Sequence, residues 1–259
     1  ALVSIQLPST PLSLGAALWF ASAHGWWLRP VQTLEASTVP RHVAQVRDCD
    51  ERQPLGSTHL ERCTWNKDSG GKPIYLVGDS NAGHFSEGII QAGAELDRPV
   101  LIATAYSCPF VDVVLRDTDP ARDNEACHRY VEKSLQYLSH AEAGLVVISN
   151  VSDYWLSESY AVGETEQKLS TDPHRKIGEF RSGLLRTVEE LRSAGHQVLL
   201  IQSAPTWGAW DPSRCTLPVI FRGQCVEERS LEQAVAATTA VRAVQADIAK
   251  DANVAIFDS

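Results

Sequence analysis

The chain has 259 residues, of which 44% are hydrophobic and 21% are charged. This length and composition suit one large globular domain or two small ones and exclude a disordered chain. The formal net charge is −9 and there is no basic stripe, so nucleic acid and anionic membrane surfaces are poor partners for this chain. The sequence contains no Met, even at position 1, and we therefore expect it to be part of a longer protein.

The first 28 residues contain no Lys, Arg, Asp or Glu, and they lack the basic region of a signal peptide. Pro8 and Pro11 make this segment a weak candidate for a membrane-spanning helix. Three interpretations remain open: the tail of a membrane region, a Trp-rich interfacial segment, or a strap over the globular domain, which is slightly favoured. We expect residues 1–48 to form a linker or membrane-proximal segment and residues 49–259 to form the main domain.

From residue 74 onward, short apolar runs alternate with helical patterns. The predicted strands cover residues 74–78, 99–104, 143–149, 196–202 and 253–257, and the predicted helices cover 82–96, 125–140, 172–194 and 230–251. The strands are continuous apolar runs, which is typical of a parallel sheet with helices on both faces. The pattern predicts an α/β fold, a three-layer α/β/α sandwich with a five-stranded parallel sheet.

Long predicted loops follow the second, third and fourth strands, at residues 107–124, 150–171 and 203–229. In a parallel sheet these loops gather at the carboxyl edge of the strands, where such folds place their functional sites.

The cysteines fall into three close pairs, Cys49/Cys63, Cys108/Cys127 and Cys215/Cys225. Six cysteines allow 15 pairings, so the sequence alone does not fix the connectivity. Pairing within each close pair is the simplest interpretation, because each bridge then closes one long loop. The spacing is not that of a zinc site, and we expect no metal. Disulfides would place the chain in an oxidising compartment, whereas the alternative is six reduced thiols in a cytosolic protein.

The segment Val77-Gly-Asp-Ser-Asn-Ala-Gly-His84 lies at the junction between the first predicted strand and helix. Ser80 falls at the start of the helix, where backbone N–H groups are unpaired. A serine in this position can attack an ester while a nearby N–H stabilises the oxyanion. The alternative is that Ser80 only caps the helix.

The segment from Ile74 to His84 resembles the first block of the SGNH hydrolases, also called the GDSL family. It is most similar to the SGNH domain that is fused to the acyltransferase-3 membrane domain in bacterial cell-envelope O-acyltransferases. The context agrees, because Cys63 precedes the first strand, Cys108-Pro109 follows the second, and a cysteine pair follows the fourth. The resemblance covers about residues 49–259 and implies the flavodoxin-like arrangement of the SGNH hydrolase fold.

The resemblance implies a role for several residues. Ser80 would be the nucleophile, and Asp79 would order the loop around it. Asn150, which follows the third strand, would donate its amide N–H to the oxyanion, although an asparagine at a strand end can also be a simple turn residue. The oxyanion glycine of the family has no clear match in residues 105–109.

The family takes its general base from an Asp-x-x-His motif after the fifth strand, and this chain ends at Ser259, before such a motif could occur. We therefore expect the natural protein to continue. Asp258 is expected to be structural, and His84 to be structural or substrate-lining rather than the base. The remaining candidate histidines are expected at the surface: His128, His140, His174 and His196.

Aromatic residues in the loops at the carboxyl edge are a further candidate feature. Tyr154 and Trp155 follow the third strand and Trp207 follows the fourth. Such side chains can stack against sugar rings or line an acyl pocket. The equally weighted alternative is that they pack only against their own loops.

The sequence thus predicts an extracytoplasmic O-acyltransferase or esterase domain that transfers an acyl group, expected to be acetyl, to or from a cell-envelope glycan or glycolipid. The resemblance implies a fused or partner acyltransferase membrane domain as acyl donor, tethering at the periplasmic or outer face of the cell membrane, and no metal or organic cofactor. The alternative is a non-catalytic domain of the same fold that binds glycans or acts as a scaffold.

Overall fold

The structure is a computed structural model that describes residues 41–57, 61–119, 124–205, 222–223 and 230–258, together with Trp19 and Glu228. The chain divides into two units, one formed by Arg41–Thr206 with Ser230–Ser259 and the other by Ala1–Pro40 with Trp207–Arg229. Few described residues belong to the second unit, and among them Trp19 is exposed. The fold and the site below are those of the first unit.

The elements of this unit are numbered in chain order over the described residues. The strands are β1 (Thr64–Trp65), β2 (Ile74–Gly78), β3 (Val100–Thr104), β4 (Val114–Asp117), β5 (Leu145–Ser149), β6 (Tyr160–Gly163), β7 (Gln197–Ile201) and β8 (Ala255–Phe257). The helices are α1 (Val43–Val46), α2 (Ser80–Gly83), α3 (Ser86–Glu95), α4 (Asn124–Leu138), α5 (Asp153–Leu156), α6 (Pro173–Ser193), α7 (Leu231–Ala236) and α8 (Thr239–Asp251). A 3-10 turn covers Glu166–Lys168.

The main sheet has six strands in the order β1-β3-β2-β5-β7-β8. All neighbouring pairs are parallel except β1 with β3. The five predicted strands therefore lie in the order 2-1-3-4-5, which is the flavodoxin-like order. The predicted α/β fold with a five-stranded parallel sheet is confirmed, and the short strand β1 extends this sheet by one antiparallel edge.

Successive side chains of each strand enter different apolar cores, as the two-residue period of a strand requires. Tyr75 and Val77 of β2 pack in the core that includes residues of α4, α6 and α8. Ile74 and Leu76 pack on the other face, against α1 and α3. Because helices cover both faces, every residue of β2 is buried, which explains the continuous apolar run in the sequence.

Helix termini follow the capping residues that the sequence provides. Asp172 accepts a hydrogen bond from the N–H of Arg175, and Pro173 is the first residue of α6.

Two predicted helices are each divided in the structure, residues 82–96 into α2 and α3 and residues 230–251 into α7 and α8. The apolar periodicity continues through both breaks, so the sequence pattern alone predicts one helix in each case.

A second, two-stranded sheet occupies segments that the sequence predicts to be loops. Strands β4 and β6 pair in antiparallel register, with Val114 opposite Gly163. Leu115 and Val162 point from this pair into the main core. The prediction of plain loops was wrong here because each short strand is stabilised by a partner that is distant in the sequence.

His196 is buried at 4% exposure, so its predicted surface position was wrong. The ring accepts a hydrogen bond from the N–H of Gly144 at its Nδ1 (3.1 Å) and donates from Nε2 to the carbonyl of Leu138 (2.8 Å). Its edge also contacts the ring of Tyr75. Both ring nitrogens are thereby hydrogen-bonded inside the core, as buried polar groups require.

Two of the three predicted disulfides are confirmed, Cys49–Cys63 and Cys108–Cys127. The first holds the N-terminal segment against β3, because the carbonyls of Cys49 and Cys63 accept hydrogen bonds from Thr104 and Ile102 (both 2.9 Å). The predicted pair Cys215–Cys225 lies outside the described residues.

Replacing both Cys108 and Cys127 by Ala should lower the free energy of unfolding by about 3 kcal/mol, because the bridge closes a loop with a sequence separation of 19 residues. Urea denaturation followed by circular dichroism measures this change. The wild-type protein under reducing conditions provides the control, and an unchanged urea midpoint in the double variant would contradict the expectation.

Candidate active site

The turn between β2 and α2 brings Ser80 to the carboxyl edge of the sheet. Gly78 has a φ of +140°, and a Cβ built on it would lie 1.9 Å from the carbonyl oxygen of Ser149. Only glycine therefore fits at this close approach of β2 to β5. Ser80 follows as the first residue of α2 and is partly exposed. In this position its N–H has no intrahelical acceptor.

The carboxylate of Asp79 connects this turn to the segment that follows β5. Its Oδ1 accepts a hydrogen bond from the N–H of Asn81 (2.7 Å) and its Oδ2 accepts one from the N–H of Val151 (2.7 Å). The hydroxyl of Tyr154 is a third hydrogen-bond partner. Asp79 is fully buried, and this burial raises its pKa to about 6 against the lowering effect of its hydrogen bonds.

Asn150 lies beside Asp79 because β2 and β5 pair with Gly78 opposite Ser149. The side-chain Oδ1 of Asn150 accepts a hydrogen bond from the N–H of Phe110 (2.8 Å). This bond fixes the orientation of the amide group, and in the described part of the chain the Nδ2 donates to no acceptor. Asn150 therefore retains a donor at the edge where Ser80 lies.

Two residues that sequence reasoning missed support this arrangement. The hydroxyl of Tyr130 on α4 accepts from the N–H of Gly78 (3.2 Å) and donates to the carbonyl of Ala103 (2.6 Å), which ties β2 to β3 below the turn. The hydroxyl of Ser203 donates to the carbonyl of Asn150 (2.8 Å). Ser203 is the first residue of the predicted loop after the fourth strand, and this position is the sequence feature that could have identified it as a supporting residue.

The end of β7 is held in turn by Arg242 of α8. The guanidinium donates to the carbonyl of Ser203 (2.9 Å) and to the side chain of Gln202 (2.9 Å), and it forms an ion pair with Asp258. Asp258 is thus paired at the end of β8, in line with its expected structural role.

The two aromatic residues after the third predicted strand are buried. Trp155 is fully buried and its ring stacks on Phe180 with centroids 4.4 Å apart. Tyr154 is 2% exposed and directs its hydroxyl to Asp79. The two side chains thus pack beyond their own segment, Trp155 against α6 and Tyr154 against Asp79, and this burial does not support the substrate-lining role expected for them. Trp207 lies outside the described residues.

His84 lies beyond α2 and stacks on His42 with ring centroids 4.8 Å apart. His42 is held by the carboxylate of Glu87 (3.0 Å). Burial and the neighbouring His42 lower the pKa of His84. Among the described residues, none forms a hydrogen bond with the hydroxyl of Ser80, so the structure does not bring His84 to it as a base.

Within the described ranges, no group of three or more His, Cys, Asp or Glu side chains is arranged to hold a metal ion. In that same part of the chain, no helix combines the length and apolar character needed to span a bilayer.

A flavodoxin-like, mostly parallel sheet with helices on both faces is the fold of the SGNH hydrolase-like class of domain. The family model for the SGNH domain that is fused to AT3 domains matches residues 48–259. The chain therefore belongs to the SGNH domain family. This membership supports an enzyme of the esterase or acyltransferase type. Its two described disulfides are typical of an extracytoplasmic domain.

The chain is similar to three solved structures, and the first of them supports the fold. The periplasmic domain of a lipopolysaccharide acetyltransferase from Salmonella Paratyphi A is 12% identical, with a TM-score of 0.55, and the match covers 86% of this chain and 80% of that one. An acetyl-xylooligosaccharide esterase from Geobacillus is 14% identical, with a TM-score of 0.40 over 73% of this chain and 76% of that one. A putative acylhydrolase from Bacteroides fragilis is 11% identical, with a TM-score of 0.37 over 86% and 76%. No curated protein sequence matches the chain.

The buried Asp79 should make the stability depend on pH. An unfolded aspartate loses its proton near pH 4, whereas Asp79 in the folded chain loses it near pH 6. The folded state binds more protons between these values, so the free energy of unfolding should fall by about 3 kcal/mol as the pH rises from 4 to 6 and stay constant above 6.

Urea denaturation of the wild type and of Asp79→Asn at several pH values measures this effect. The variant has no titrating group at this position, so the stability difference between the two proteins should change between pH 4 and 6. Parallel curves over this interval would show that Asp79 is not the group responsible.

The hydrogen bond from Tyr154 lowers the pKa of Asp79, so Tyr154→Phe should raise that pKa. The free energy of unfolding should then continue to fall with pH above pH 6. At neutral pH the variant should be less stable by about 1 kcal/mol. The half-buried Tyr137 offers a matched control, because its ring packs against Tyr75. If the free energy of unfolding stops falling at the same pH in Tyr154→Phe and Tyr137→Phe, the hydroxyl of Tyr154 does not act on Asp79.

Proposed function

We propose that this domain transfers an acyl group, in the simplest case acetyl, to or from a cell-envelope glycan or glycolipid through a covalent intermediate on Ser80. The observation that carries the proposal is the partly exposed hydroxyl of Ser80 at a sharp turn whose backbone is fixed by the buried carboxylate of Asp79. A rigidly held serine beside unpaired donors is what acyl transfer requires.

In the proposed reaction, the Oγ of Ser80 attacks the carbonyl carbon of an acyl donor and passes its proton to a general base. In the family this base is the histidine of an Asp-x-x-His motif. The tetrahedral intermediate expels the donor alcohol, which takes up the proton, and an acyl-serine remains. A sugar hydroxyl or water then attacks this ester, and Ser80 regains its proton.

The negative oxygen of both intermediates needs hydrogen-bond donors. The backbone N–H of Ser80 and the amide Nδ2 of Asn150 are the two groups that we assign to this role. The amide is suited to it because its oxygen is already bound to the N–H of Phe110, so the donor end cannot rotate away without breaking a buried hydrogen bond.

The family and one structural neighbour support the proposed acyl donor and acceptor. The family is named for its fusion to AT3 domains, and the Salmonella neighbour is a periplasmic domain of a lipopolysaccharide acetyltransferase. We propose that such a membrane domain, fused or associated, supplies the acyl group and tethers this domain at the outer face of the membrane. Hydrolysis uses the same steps with water as the acceptor.

Two assays test the proposal with the protein expressed from its complete coding sequence. One measures the turnover of p-nitrophenyl acetate, and the other measures acetyl transfer to a glycan. Ser80→Ala should lower kcat by about 10³-fold or more. Asn150→Asp keeps the acceptor for Phe110 but removes the amide donor, and it should lower kcat by about 10²-fold.

Ser182→Ala, an exposed serine on α6, is the matched control and should retain wild-type turnover. Mass spectrometry after a short incubation should detect an acetylated peptide that contains Ser80 in the wild type. Equal turnover by Ser80→Ala and the wild type would exclude the proposed mechanism and leave the non-catalytic glycan-binding alternative.

A further inference from the structure

A groove of about 430 Å³ lies between β4 and α4. Val114 and Leu115 form the apolar part of its lining, and His128, Arg129 and Glu132 project from α4. A second cavity of about 220 Å³ shares the lining residues His128 and Glu132 with this depression. We refer to this depression as the α4 groove.

The polar side chains of the α4 groove differ in how they are engaged. Arg116 and Glu166 form a two-point ion pair (3.2 and 2.5 Å) that joins β4 to the 3-10 turn and fixes one wall. His128, Arg129 and Glu132 are exposed and form no hydrogen bond or ion pair with any described residue. The groove therefore combines a wall with an ion pair and polar groups of α4 that have no partner among the described residues.

The α4 groove is joined to the site by short, rigid connections. Phe110, whose N–H binds Asn150, precedes Val114 of the groove by four residues, which span at most about 14 Å. The Cys108–Cys127 disulfide anchors α4 one residue before His128. The segment of residues 110–114 and this disulfide thus connect the α4 groove to the contact that orients Asn150.

We propose that the α4 groove binds an uncharged oligosaccharide, as the accessory subsite for the extended part of the glycan whose hydroxyl group is acylated. This inference rests on the proposed function. Sugar hydroxyls both donate and accept hydrogen bonds, so one ligand can satisfy the donor Arg129 and the acceptor Glu132 together. The apolar faces of the sugar rings match the half-buried side chain of Val114.

Other classes of ligand match the groove less well. An anionic polymer would meet the carboxylates of Glu125, Glu132 and Glu166, and a cationic one would meet Arg116 and Arg129. An acyl chain would cover the charged groups of α4 without forming hydrogen bonds to them, which is costly. A neutral polyol avoids both penalties.

Isothermal titration calorimetry with cellotriose, maltotriose and chitotriose tests the inference, with trigalacturonate as the anionic probe and octanoate as the apolar probe. We expect at least one neutral trisaccharide to bind the wild-type chain more tightly than either comparison probe. Arg129→Ala and Glu132→Gln should each raise its Kd by about tenfold or more, because each removes a charged hydrogen-bond partner.

Lys133→Ala and Glu189→Gln are matched controls, because they remove an exposed charge of the same sign outside the groove. Both should bind as the wild type does, and so should Ser80→Ala. No binding of any neutral trisaccharide, tighter binding of trigalacturonate or octanoate, or equal Kd values for groove and control variants would each overturn the inference. Failure of the catalytic proposal would instead appear as unchanged turnover in Ser80→Ala while groove binding persists.

Discussion

The buried carboxylate of Asp79 is the interaction on which the candidate site depends. One oxygen holds the turn that carries Ser80, and the other holds the N–H of Val151, directly after Asn150. These two segments are distant in the sequence and meet only because β2 and β5 are neighbours in the sheet. Two charge-assisted hydrogen bonds from one side chain thus fix the nucleophile candidate relative to the oxyanion candidate.

This arrangement has an energetic cost that the surrounding structure offsets. A fully buried carboxylate loses its hydration, which is why its pKa rises to about 6. Backbone donors and the hydroxyl of Tyr154 replace part of the lost water. Burying a hydrophobic residue here would cost less free energy, but such a residue could not hold two backbone N–H groups at fixed positions. The stability cost therefore accompanies a preorganised site.

Much of the fold was predictable because its signals are local. The apolar runs from Ile74 to Gly78 and from Leu145 to Ser149 predict buried parallel strands, and Pro173 and Ser230 mark helix starts. Two cysteine pairs were predicted from their proximity in the chain alone. Local patterns could not reveal the pairing of β4 with β6, or the burial of His196, because both depend on partners that only the folded chain supplies.

The sequence by itself determined the α/β class and the strand-to-helix turn at Ser80, because these follow from side-chain periodicity and backbone conformation over a few residues. The need for glycine at position 78 comes from the tertiary structure, where β2 closely approaches Ser149 of β5. The tertiary structure alone decided that Tyr154 and Trp155 turn inward, that Ser203 holds the backbone of Asn150, and that β4 and α4 enclose a groove. These features arise where segments from different parts of the chain exclude water together, and no local pattern encodes which segments will meet.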